Sequence, residues 1–152
     1  MRVLLDTNVL LRLSQPDNPH STPAEKAIQS LRMSGRILCV VPQSLYEFWA
    51  VATRPQSANG LGMATDEVRE HVRLIKRLYT FLNDDTSLFA NWESLVQKYC
   101  AVGKSAHDAR LVAAMFAHGI AQLLTFNDTD FARYDGIVVR SPFELASTPG
   151  TP

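Results

Sequence analysis

Short apolar runs alternate along this chain with longer segments in which apolar residues recur at helical spacing. The run Val3-Leu4-Leu5 predicts a buried strand over residues 2–6, closed by Asp6. Ile37 to Val41 predicts another, because an unbroken apolar run suits a strand covered on both faces, and Ala121 to Phe126 reads as a further buried strand. Ile137 to Val139 predicts a last one. Helices are expected over 8–14, 24–34, 44–53, 65–82, 87–100, 106–118 and 129–134. Gly35 and Gly119 stop the second and sixth of these. In the fourth, Val68, Val72, Ile75, Leu78, Tyr79 and Leu82 form the apolar stripe, and Arg69, Arg73 and Lys76 share another face. The stretch Thr80 to Asn83 reads equally as the end of that helix or as a short strand.

Between these elements, Gln15 to Pro23 has the composition of a loop. Pro55 to Met63, with Gly60 and Gly62, is expected to be a mobile one. Residues 147–152 read as a disordered tail, leaving 1–146 as one domain. Strands alternating with helices argue for an α/β fold, a parallel sheet of about five strands between two helical layers. In such sheets ligands bind beyond the carboxyl ends of the strands, where the strand order reverses. Asp6 and Asn127 to Asp130 both lie just past strand ends, and so on one edge.

Four acids stand beside apolar stretches: Asp6, Glu47, Asp108 and Asp130. Glu47 is the one charged residue between Arg36 and Arg54. Ionised carboxylates beside a core are costly unless something compensates them. Four such acids suggest one shared partner, a hard divalent cation such as Mg²⁺ or Mn²⁺. Each acid also has a plainer role. Asp6 and Asn127-Asp128-Thr129-Asp130 can cap helices, and Ser105 to Asp108 matches a capping box. Glu47 points away from the strongest stripe of its helix, Leu45, Phe48, Trp49 and Ala52, and can be a surface glutamate. Asp108, however, falls in register with Leu111, Val112 and Met115, on the buried stripe. Thr7 and Asn8 can hydrogen-bond Asp6. Arg54, Lys104, Arg110 and Arg133 are near the acids in sequence and can hold phosphates. His107, beside Asp108, is a candidate to line the site, whereas His20, His71 and His118 read as packed or solvated.

Bulk composition narrows the class without naming a partner. The chain has 152 residues, and its 46 % hydrophobic content is that of a globular domain. Fifteen basic and fifteen acidic side chains cancel, so net charge neither predicts nor excludes nucleic acid. Cys39 and Cys100, both in apolar surroundings, read as reduced core residues. No apolar stretch reaches membrane-spanning length, and the start does not read as a signal peptide, so a cytoplasmic protein is expected.

Five segments together resemble PIN domains, in particular the VapC toxins of bacterial toxin–antitoxin pairs. They are Leu4 to Leu11, Ser44 to Trp49, Ala106 to Ala113, Leu124 to Phe131 and Gly136 to Pro142. They occur in the family's order and span almost the whole chain. The resemblance implies a three-layer α/β/α fold with acids at Asp6, Glu47 and Asp108. At the fourth place the family often has an acid at or just after the position held here by Asn127, and Asp130 or Asp128 would supply the charge. It further implies a Mg²⁺- or Mn²⁺-dependent ribonuclease, an RNA substrate, a VapB-like antitoxin as partner and a homodimer. Two rival readings are a haloacid-dehalogenase-like phosphatase and a non-catalytic RNA-binding or regulatory domain. The first needs an acid where this chain has Asn8.

Overall fold

The computed structural model describes residues 1–147. Five parallel strands form one sheet: β1 (Arg2–Leu5), β2 (Ile37–Val40), β3 (Thr80–Phe81), β4 (Gln122–Leu124) and β5 (Val138–Arg140). Their order across the sheet is β3-β2-β1-β4-β5. The chain therefore grows outward from β1 in one direction and later returns to its other side. This reversal between β1 and β4 leaves a crevice at their carboxyl ends.

Both faces of the sheet are covered, which explains the unbroken apolar runs. Val3, Leu5, Leu38, Val40 and Leu124 face one core. There they meet α1 (Thr7–Leu13), α2 (Ser21–Met33), α3 (Pro42–Thr53) and α4 (Thr65–Leu78). Leu4, Cys39 and Leu123 point the other way, toward α5 (Leu88–Lys98), α6 (Ser105–Ala117) and α7 (Asp128–Phe131). Successive residues alternate between the two cores because side chains alternate along a strand.

Several boundaries differ from the sequence reading. Helix α2 begins at Ser21, because Pro23 falls in the first turn, where a missing N–H breaks no helical bond. Pro42 likewise opens α3. Helix α4 stops at Leu78, and Thr80–Phe81 leaves it to pair with β2, so Leu78 is exposed rather than core. Helix α8 (Pro142–Ser147) was not foreseen; Leu145 packs on the first core and Phe143 stacks edge-on with His20 and Phe126. Ser147 thus ends a helix, and the rest of the expected tail lies outside the described residues. Cys39 is buried, but Cys100 is exposed. Cys100 takes the left-handed conformation (φ 49) that lets the chain turn after α5, a place where glycine is usual.

The segment Pro55 to Met63, expected to be mobile, is closed onto the end of α3. One turn of 3-10 helix, Gln56–Ala58, starts it. Leu61 N–H donates to Val51 O at 3.0 Å, Met63 N–H to Ala52 O at 2.9 Å and Gly62 N–H to Arg54 O at 2.8 Å. Leu61 and Met63 also pack on the core. Gly60 is needed for the closure, since a Cβ there would lie 2.0 Å from Arg54 O. Gly60→Ala should therefore cost about 2–3 kcal/mol in urea unfolding. Gly35→Ala, which meets no atom within 4 Å but has φ +71, should cost only about 1 kcal/mol. Equal losses would show that the close approach at Gly60 does not hold the loop.

Candidate active site

The crevice at the ends of β1 and β4 holds Asp6, which is only 7 % exposed. Its backbone N–H still donates to Leu124 O at 3.0 Å, so the sheet fixes its position. Its carboxylate accepts from Thr7 N–H (2.7 Å), Asn8 Nδ2 (2.9 Å) and Thr125 Oγ1 (2.6 Å). Asp6 thus does cap α1, as its plainer role requires, and has two further donors besides. Asn8 ties the two strand ends together, donating also to Thr125 Oγ1 at 3.0 Å and accepting Phe126 N–H at 3.1 Å.

Glu47 reaches the same place from α3. Its surface-facing direction, away from the Leu45–Phe48–Ala52 stripe, is the direction of the crevice. Thr7 Oγ1 donates to Glu47 Oε2 at 3.1 Å, and Gln43 Nε2 to Oε1 at 2.8 Å. Gln43 Nε2 also donates to His107 O at 2.9 Å, which joins α3 to α6. Asp108 follows on α6, half-buried. The expected capping box does not form: Ser105 is already inside the helix, and its hydroxyl turns back to Val102.

A cleft of about 260 Å³ results, lined by Asp6, Thr7, Asn8, Leu11, Glu47, Ala50, Val51, Arg54, Lys104, His107, Asp108 and Asn127. Asp130 is not among the lining residues. It stands beside the cleft, 3.6 Å from Lys104 Nζ, and its charge still acts on Asp108. Asp128 is exposed in the first turn of α7. Arg110 faces elsewhere, into a second cleft with Leu88, Phe89 and Trp92. It donates to Asp84 Oδ2 at 2.7 Å and to Gln43 Oε1 at 3.1 Å. Sequence reasoning passed over Thr125 and Gln43. Thr125 was the one polar residue in the run from Leu123 to Phe126, and Gln43 lies one helical turn before Glu47.

Burial raises the Asp6 pKa to about 6. The nearby charges of Glu47 and Asp108 push it the same way, against the hydrogen bonds from Thr125 and Thr7. Asp108 is also raised, chiefly by burial, then by Asp130 and Glu47, with Lys104 opposing. Three acids therefore crowd one cleft, and the charge of Glu47 works against the ionisation of both Asp6 and Asp108, which an added cation would relieve. Their oxygens suit a hard ion. Among the described residues no three acid, histidine or cysteine side chains come together closely enough to enclose one ion. The donor set fits a hydrated cation held by one or two carboxylates and keeping several waters, as Mg²⁺ commonly is.

The PIN-domain family model matches residues 3–137. This chain belongs to the PIN-domain family. Solved structures share the fold at low identity. A chain of the Rickettsia felis VapBC2 complex, bound to a DNA fragment from its promoter, superposes with a TM-score of 0.70 at 11 % identity. That match covers 93 % of this chain and 98 % of the other. Mycobacterium tuberculosis VapC20, described as a toxin that cleaves the sarcin–ricin loop, gives 0.62 at 19 %, over 90 % of this PIN domain and 96 % of the other chain. FitAcB from Neisseria gonorrhoeae gives 0.65 at 19 %, over 93 % and 98 %. No curated protein sequence matches the chain.

The raised Asp6 pKa makes a stability prediction for this PIN domain. The native state binds Asp6's proton up to about pH 6, the unfolded chain only to about 3.8. Asp6 therefore disfavours folding progressively as pH rises through that window, by on the order of 3 kcal/mol in full. In chelator, wild type minus Asp6→Asn should lose stability between pH 4 and pH 7 in urea titrations. A flat difference would show that Asp6 ionises without cost.

Proposed function

We propose that this PIN domain is a Mg²⁺- or Mn²⁺-dependent ribonuclease, the toxin of a toxin–antitoxin pair. The observation that carries the proposal is the meeting of Asp6, Glu47 and Asp108 at one cleft, where burial and neighbouring acids work against the ionisation of Asp6 and Asp108. PIN nucleases generally use divalent metal ions, and Asp6 and Asp108 would hold one here. Glu47 and Asp130 would support it, through water where they do not reach it. When bound, such an ion acidifies water and offsets negative charge on the phosphate.

The side chains of the chain divide the remaining work. Thr7 N–H, Asn8 and Thr125 keep the Asp6 carboxylate in one orientation. Thr7 and Gln43 do the same for Glu47, leaving unused lone pairs on both oxygens to orient a water. Arg54 and Lys104, at the rim of the cleft, would hold backbone phosphates on either side of the scissile bond. The Lys104–Asp130 pair is no obstacle, since the lysine is 73 % exposed and such pairs are weak. Arg110 is not assigned to RNA, because Asp84 and Gln43 already engage its guanidinium.

Likeness to the VapBC2 complex of Rickettsia felis supports a VapB-like antitoxin as partner, and likeness to the VapC20 toxin of Mycobacterium tuberculosis, described as cleaving the sarcin–ricin loop, supports RNA as substrate. A homodimer and a cytoplasmic home belong to the same reading. No described helix is long and apolar enough to cross a membrane. The phosphatase reading lacks support, because Asn8 stands where its acid would be and uses both ends of its amide to bind Asp6, Thr125 and Phe126.

RNA cleavage assays test the proposal. Wild type should cut RNA with Mg²⁺ or Mn²⁺ and stop in excess chelator. Asp108→Asn should lose at least about 100-fold in rate while remaining folded, since an amide is a neutral and poorer ligand. Undiminished cleavage in chelator, or by folded Asp108→Asn, would refute the metal mechanism. The fourth acid is assigned by comparison: Asp130→Asn should weaken Mn²⁺ binding several-fold, and Asp128→Asn hardly at all. Equal losses, or a larger one at Asp128, would reassign that role.

A further inference from the structure

We propose that Gln43 is a positioning residue that sets the distance between the Glu47 and Asp108 carboxylates, and that Arg110 locks it in place. The proposal deepens the nuclease reading and rests on it for its consequence. Gln43 is only 6 % exposed, so its amide must find its partners inside the protein. Nε2 donates to Glu47 Oε1 at 2.8 Å and to His107 O at 2.9 Å. Oε1 accepts from Arg110 Nη1 at 3.1 Å.

The chemistry fixes the direction of the amide. A carboxylate and a carbonyl can only accept, and a guanidinium can only donate. A flipped Gln43 would set its oxygen against two acceptors and its NH₂ against a donor. Arg110 is itself anchored at 2.7 Å to Asp84 Oδ2, and is only 29 % exposed at the side chain.

The consequence lies in which backbone Gln43 holds. His107 immediately precedes Asp108, and Arg110 follows two residues later on the same helix. Gln43 is therefore gripped by α6 on both sides of Asp108, while its amide N–H₂ holds Glu47 on its own helix, one turn on. One buried amide thus couples the two acids that approach the cleft from different helices. Strands β1 and β4 fix Asp6 independently. Among the described residues, no other hydrogen bond of this network joins Glu47 to α6, and Thr7 is the remaining donor to its carboxylate.

Gln43→Met, which keeps the length and removes the hydrogen bonds, is the test, with Arg110→Met and Arg110→Lys beside it. Three-bond NMR couplings of the Glu47 side chain in metal-free protein report its rotamer. One rotamer is expected in wild type, averaging in Gln43→Met, and a smaller change in Arg110→Met that Arg110→Lys partly restores. Mn²⁺ calorimetry should show affinity reduced about five- to tenfold in Gln43→Met, and no further loss when the same change is made in Glu47→Ala. An unchanged Glu47 rotamer in folded Gln43→Met, or an equal loss of Mn²⁺ affinity in the Glu47→Ala background, would overturn the proposal. If Gln43→Met does not fold, the Arg110 pair decides it by the same couplings, and identical Glu47 rotamers in wild type and Arg110→Met would overturn it. A wild type that holds Glu47 in one rotamer but binds no Mn²⁺ would instead refute the nuclease reading.

Discussion

A carboxylate buried at the end of the central strand organises this molecule. Asp6 follows three residues that are fully packed between helices, and only 7 % of it is left exposed, at the cleft. The chain compensates by bringing three donors from two elements: the N–H of Thr7 and the amide of Asn8 from α1, and the hydroxyl of Thr125 from just past the end of β4. The last of these comes from the far side of the strand-order reversal. The crevice between β1 and β4 is thus held by the hydrogen bonds that the buried charge demands. Those bonds do not cancel the cost, and the raised pKa measures what is left over.

That residue of unpaid charge connects fold to function. Glu47 and Asp108 worsen it, and neither is placed there by packing alone. Helix α3 buries Leu45, Phe48 and Ala52 and turns Glu47 to the cleft; α6 buries Leu111, Val112 and Met115 and leaves Asp108 half-buried at its rim. A neutral chain overall can in this way carry a locally anionic cleft with Arg54 and Lys104 at its border. A cation bound in the cleft would stabilise the protein, because it would offset the charges that Glu47 and Asp108 set against Asp6.

Much of this was legible in the sequence because local constraints wrote it there. A strand covered on both faces must be apolar throughout, so Val3 to Leu5 and Ile37 to Val40 announced themselves. Asp6 and Asp108 stood out as acids at the margin of such elements. The less legible parts depend on contacts between distant segments. Glu47 reads as a surface residue on its own helix, and only the approach of α1 and α6 gives it a cleft to face. Gln43 and Thr125 look like ordinary polar residues until their partners appear, 64 residues away for Gln43 and 119 for Thr125. Pro23 misled in the opposite sense. Proline breaks a helix interior but is welcome in a first turn, and composition alone does not say which applies. The loop after α3 looked free because Gly60 and Gly62 suggest freedom, whereas Gly60 is there to permit a close approach to Arg54.

The proposed mechanism requires Asp6 and Asp108 to share one cation. A crystal of the wild-type protein soaked in Mn²⁺ tests it most directly, by anomalous diffraction at the manganese edge. A single strong peak is expected in the cleft, within coordination distance of both carboxylates and completed by waters. A peak elsewhere with this cleft empty, in a crystal whose packing leaves the cleft open, would contradict it.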